Sequence, residues 1–92
     1  MSEIRDKVVW ITGASSGIGE ALAYQIGQRG GKLILSARRE EELERVKANC
    51  QGISSDDIKI LPVDLSLSES LPSVSQQAIS FFGTIDILIN NG

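Results

Sequence analysis

Val8-Val9-Trp10-Ile11, running directly into Thr12-Gly13-Ala14-Ser15-Ser16-Gly17-Ile18-Gly19, is the stretch that decides the fold. The first four residues are apolar without alternation, the pattern of a strand covered on both faces rather than on one. The turn that follows holds three glycines in seven residues. Beyond it Ile18, Leu22 and Ile26 recur at helical spacing, Ala21 and Ala23 favour helix, and Gly30-Gly31 supplies the stop. The unit is strand, glycine turn, helix.

The same unit repeats along the chain. Lys32 to Ala37 reads as a second strand through Leu33-Ile34-Leu35, and Glu40 to Gln51 as a second helix with Leu43, Val46 and Cys50 on one stripe. Glu40, Glu41 and Glu42 crowd the first turn of that helix, where they complement its dipole, and Gly52 can end it. Ile58 to Leu61 predicts a third strand, leading into Pro62-Val63-Asp64-Leu65. A Ser-rich segment then opens a third helix, with Pro72 in its first turn and Leu71, Val74, Ala78 and Phe81 or Phe82 facing inward. Gly83 ends it and Ile85 to Ile89 forms a fourth strand. Strands alternating with helices imply right-handed crossovers and a parallel sheet. The expected fold is α/β, a partial Rossmann doubly wound sheet of four strands in the order 3-2-1-4 with three helices, filling residues 1–92 as one unit.

Composition narrows the partners. Nine Lys and Arg against twelve Asp and Glu give a net charge of −3, which argues against a general nucleic-acid binder. With one cysteine and no histidine, neither an intrachain disulfide nor a Cys/His zinc site can be built. Cys50 reads as a helix residue on the apolar face. The apolar run at Val8 to Ile11 is too short for a signal or a membrane span, so the expectation is a cytoplasmic chain with no membrane segment.

A turn between the carboxyl end of a strand and the start of a helix presents unpaired N–H groups and the positive end of a dipole, a setting that suits a pyrophosphate. Glycines there let backbone approach phosphate closely, although three glycines can also serve simply to make a tight loop. The spacing Gly13-x-x-x-Gly17-x-Gly19 is not the commonest dinucleotide fingerprint, and it lacks the Lys and hydroxyl residue of a nucleoside triphosphate loop. Ser15 and Ser16 have hydroxyls placed to bond phosphate or ribose.

Thr12 to Gly19 resembles the Thr-Gly-x-x-x-Gly-x-Gly motif of the short-chain dehydrogenase/reductase family. Three further stretches agree with that family in type, order and spacing: Ser36-Ala37-Arg38-Arg39, Val63-Asp64-Leu65 and Asn90-Asn91-Gly92. Together the four span essentially the whole chain. The text from Ile34 to Arg39 and from Leu43 to Lys47, with Asn-Asn-Gly, is similar to the member seven branch of the dehydrogenase/reductase set, whose members often carry a membrane anchor ahead of the first strand. The resemblance implies that Gly13, Ser15, Ser16, Gly17, Ile18 and Gly19 surround the cofactor's pyrophosphate and ribose. It puts Asp64 and Leu65 beside the adenine, and Asn90, Asn91 and Gly92 along the cofactor while they steady the sheet. Gly92 stands where the family usually has Ala.

The end of the second strand bears on which nicotinamide cofactor is bound. NAD-selective sites carry an acid about 20 residues beyond the glycine turn, where it holds the ribose hydroxyls and repels a 2′-phosphate. Ala37 occupies that slot, followed by Arg38 and Arg39, and a guanidinium can hold a phosphate through parallel charge-assisted hydrogen bonds. The expectation is NADP(H), with Arg38 the main contact and Arg39 secondary. The alternative is that both arginines are solvated residues opening the second helix.

In the family, a downstream Ser and a Tyr-x-x-x-Lys pair handle the substrate carbonyl, all of them beyond the Asn-Asn-x-Gly segment. The one tyrosine here, Tyr24, has Gln28 four residues on and reads as a partly buried helix residue. No catalytic residue is therefore assigned. The expected function is the NADP(H)-binding portion of an oxidoreductase that interconverts carbonyl and alcohol groups, inactive as these 92 residues alone. A small carbonyl or alcohol substrate belongs only to a longer form. The other readings are a natural short dinucleotide-binding product without turnover and an interaction module. The fourth strand, an apolar edge, is expected to make the chain self-associate.

Overall fold

The computed structural model of the protein describes residues 4–64 and 71–91. Within them lie β1 (Val8–Thr12), β2 (Lys32–Ser36), β3 (Ile58–Ile60) and β4 (Ile87–Asn90), joined through α1 (Gly17–Gln28), α2 (Glu40–Asn49) and α3 (Leu71–Phe82). The strands form one parallel sheet in the order β3-β2-β1-β4, as the strand and helix alternation predicts.

All five residues of β1 are buried, which explains its unbroken apolar run. Val9 and Ile11, with Leu33 and Leu35 of β2, pack against Ala23 and Ile26 of α1 and Leu43 and Val46 of α2. Val8, Trp10 and Ile34 point the other way, toward Val74 and Ala78 of α3. Helices on both faces make the sheet doubly wound. Trp10 brings an N–H into this second core, and its Nε1 donates to the buried Ser36 Oγ at 2.8 Å. Leaving that donor bare would cost about 1–3 kcal/mol.

Several boundaries differ from the sequence reading, each for a local reason. Ile18 is 71% exposed and does not belong to the inner stripe of α1, because it sits in the first turn, where the chain has only just left the sheet. Ala23, Ile26 and the half-buried Leu22 carry that stripe instead. The helix stops as expected, with Gly30 N–H donating to the Gly27 carbonyl and Gly31 N–H to that of Ile26, both at 3.0 Å. α2 ends two residues earlier than Gln51, and Cys50 is its extended cap residue, still buried on the same stripe as Leu43 and Val46. A single 3-10 turn at Ser55–Asp57, which the periodicity did not announce, leads into β3.

β3 is short, yet the chain stays alongside β2 beyond it. Leu61 N–H donates to the Leu35 carbonyl at 2.8 Å and Val63 N–H to that of Ala37 at 2.9 Å. β4 begins at Ile87 rather than Ile85, because the Asp86 carboxylate accepts the Val8 N–H at 2.9 Å and takes the place of a ladder carbonyl. Ile85 packs into the α3-side core. α3 has Pro72 in its first turn, buries Val74 and Ala78, and half-buries Phe81 and Phe82. The expected inward side chain of Leu71 lies outside the described residues, as do Leu65 and Gly92. No helix among the described residues is long and apolar enough to cross a membrane.

Candidate functional site

Parallel strands send their carboxyl ends to one edge, where the following loops gather. A cavity of about 530 Å³ lies there, lined by Thr12, Gly13 and Ser15 after β1, Ser36 to Arg39 after β2, Glu42 of α2, and Val63 and Asp64 after β3. That volume falls in the range of small-molecule sites. Of the residues expected to bind a cofactor, the cavity brings together Gly13, Ser15, Arg38, Arg39 and Asp64.

The remaining glycine-turn residues sit beyond the lining. Ser16 precedes α1 in extended conformation and makes no side-chain cap, which leaves its hydroxyl and the first amides of the helix without that partner. Gly17 has φ +60° and open space where a Cβ would stand. Gly13 and Gly19 have a different job. A Cβ on Gly13 would overlap the Asn91 carbonyl oxygen, and one on Gly19 would overlap the Gly13 carbonyl oxygen. Only Gly17 keeps the loop open; the other two let it pack against β4.

Asn90 and Asn91 hold the loop from that side through Thr12. The Thr12 hydroxyl accepts the Asn91 N–H at 3.0 Å, and its hydrogen faces Asn90 Oδ1 at 3.0 Å and the Ile89 carbonyl at 3.4 Å. Asn91 Nδ2 donates to the Gly13 carbonyl at 3.2 Å, while Ala14 N–H donates to that of Ser36 at 3.0 Å. Both asparagines therefore have structural work on this side of the loop, and neither lines the cavity.

The electrostatics are uneven. Arg38 and Arg39 are exposed and form no ion pair among the described residues. Glu42 lines the same cavity, but its Oε1 is paired with Arg45 Nε at 3.1 Å. Arg45 also pairs with Glu20, whose carboxyl it holds below the usual carboxylate range, helped by the Tyr24 hydroxyl donating to Glu20 at 2.6 Å. Burial, together with that bond to Glu20, pushes the Tyr24 phenol up.

A sequence model of the short chain dehydrogenase family matches residues 7–92. The chain belongs to that family. It is 52% identical over 93 residues to dehydrogenase/reductase SDR family member 7 of Homo sapiens, covering 98% of this chain and 27% of that protein. Among solved structures, L-sorbose reductase from Gluconobacter frateurii, complexed with NADPH and L-sorbose, superposes with a TM-score of 0.86 at 33% identity, over 99% of this chain and 35% of that one. The 3-ketoacyl-(acyl-carrier-protein) reductase from Brucella melitensis, complexed with NADH, gives 0.81 at 30% identity, over 94% and 34%. The chain thus spans about a third or less of the length of each relative.

Within this family frame, three residues of the site escaped the sequence reading. Thr12 was visible only as a letter of the motif, and its hydroxyl turns out to join β1 to both asparagines. Glu42 and Arg45 are spaced as an i,i+3 helix pair, a signal that can be read from sequence. That Glu42 would also line the cavity depends on how α2 is set against the sheet.

Proposed function

We propose that the cavity binds NADP(H), and that these residues form the cofactor-binding part of an oxidoreductase interconverting carbonyl and alcohol groups. The carrying observation is the composition of the cavity wall after β2: Ala37, Arg38 and Arg39, with no acid at the strand end to hold a ribose diol and repel a phosphate. Arg38 takes the 2′-phosphate and Arg39 assists. Glu42, which would oppose an anion there, is offset by Arg45. The pyrophosphate lies over Ser15, Ser16 and Gly17, with Ile18 at the mouth of the turn, and the adenine lies beside Asp64. When bound, the dinucleotide supplies or accepts the hydride.

The relatives alone leave the choice of cofactor open, since one similar structure holds NADPH and another NADH. The chemistry at the end of β2 supports the phosphorylated form. Proton transfer to the substrate needs a group within hydrogen-bond reach of it. Tyr24 does not serve, being committed to Glu20 in the seam between α1 and α2. The test is the double substitution Ala37→Asp with Arg38→Leu, which restores the ribose acceptor and removes the phosphate clamp. Dissociation constants for NADPH and NADH should reverse their order in this variant. An unchanged order would refute the assignment.

A further inference from the structure

The loop that the proposed cofactor would lie on is held at the β2 end by Ala14 N–H on the Ser36 carbonyl, and from two further sides. On the β4 side, Asn91 holds the Gly13 carbonyl. On the α2 side a single guanidinium does the work, 30 residues away in sequence: Arg45 Nη2 donates to the Ser15 carbonyl at 2.8 Å. The same fork reaches both oxygens of Glu20 on α1, through Nη1 at 3.0 Å and Nη2 at 3.3 Å, and its Nε holds Glu42 on α2. Glu20 is oriented in turn by Tyr24, whose hydroxyl oxygen accepts from Asn49 Nδ2 at 3.5 Å.

We propose that Arg45 is a positioning residue for the nucleotide-binding loop, tying Ser15 to α1 and α2 so that the Ser16–Gly17 segment is presented in its binding conformation before any nucleotide arrives. This rests on the reading of the cavity as a dinucleotide site. An exposed ion pair between two side chains contributes little by itself. Here one planar fork meets the loop, α1 and α2 at once, a geometry that a lysine ammonium cannot reproduce. The Gly13 carbonyl, the Ala14 N–H and the Ser15 carbonyl each have a partner, and only Ser16 separates them from the open Gly17. A loop ordered in advance gives up less freedom when it binds.

The tether implies that Arg45→Met loosens the loop while leaving Arg38 and Arg39 in place. Glu20→Gln releases the same guanidinium from its other end; the Arg45 side chain is exposed and that of Glu20 partly so, and neither belongs to the apolar core. Hydrogen–deuterium exchange of the full chain without nucleotide should show faster exchange at the amides of residues 15–18 in both variants. Titration should show NADH weakened by about 2- to 10-fold in both variants, with NADPH weakened as much in Glu20→Gln and at least as much in Arg45→Met, which also uncovers Glu42. Unchanged loop exchange in both variants would overturn the proposal, and so would faster exchange with undiminished affinity. If the unmutated chain binds neither nucleotide, the functional reading falls, while the exchange comparison still judges the tether.

Discussion

Alanine at Gly13 and alanine at Gly17 make a paired test of how the glycine turn is built. Both positions have positive φ, +62° and +60°, where an L side chain costs about 1–2 kcal/mol. At Gly17 nothing lies near the new methyl, so that cost is the whole effect. At Gly13 the methyl also overlaps the Asn91 carbonyl oxygen, and this is backbone that moves only if β4 shifts away from β1. Overpacking of that kind adds about 1–3 kcal/mol, for a total of about 2–5 kcal/mol against the 5–15 kcal/mol typical of a whole domain. Urea unfolding of the two variants beside the parent reads the difference directly. Gly13→Ala should be the more destabilised by at least about 1 kcal/mol. Gly17→Ala, by contrast, should lose nucleotide affinity out of proportion to its stability, because its open face is where the proposed cofactor's phosphate would lie. Equal stability losses for the two variants would show that the packing of the loop on β4 has been misread.

Two further outcomes follow from the geometry. Glu20 has a lowered pKa in the folded chain, so its contribution is complete above the ordinary carboxylate value of 4.5 and fades as the pH falls through the depressed one. The stability gap between parent and Glu20→Gln, at most about 1 kcal/mol for so exposed a network, should therefore be present at neutral pH and shrink as the pH falls below the ordinary carboxylate value, and a gap that does not vary with pH would contradict this. β4 lies at the edge of the sheet with Leu88 55% exposed and Ile87 37% exposed, so the 92-residue chain should self-associate and Leu88→Lys should reduce it. Sedimentation of the unmutated chain as a monomer at high concentration would count against that expectation.

What could be read in advance was local. The strand, turn and helix of β1 and α1 are encoded in adjacent residues: an unbroken apolar run, three glycines and a helical period. The order of the strands follows from alternation and the handedness of crossovers, without knowledge of any contact. Ile18 was half legible, since its place in the helical period pointed inward while its place in the glycine motif pointed to the ligand, and its exposure favours the second. The start of β4 was misplaced because an Asp side chain can stand in for a backbone carbonyl, which no period reveals. Apart from its i,i+3 pair with Glu42, the Arg45 network was beyond reach for a similar reason. Its contacts with Glu20 and Ser15 join residues 25 and 30 positions apart, and they exist only once α2 lies beside α1.

The wall after β2, with Ala37, Arg38 and Arg39, should select a 2′-phosphate. NADPH and NADH differ only in that group, so their dissociation constants on the unmutated protein isolate it. Charge-assisted hydrogen bonds from a guanidinium contribute about 1.5–3 kcal/mol, which corresponds to NADPH binding about 10- to 150-fold more tightly. The preference should narrow as salt is added, since Arg38 and Arg39 are exposed. Equal affinity for the two nucleotides, or tighter binding of NADH, would contradict the account.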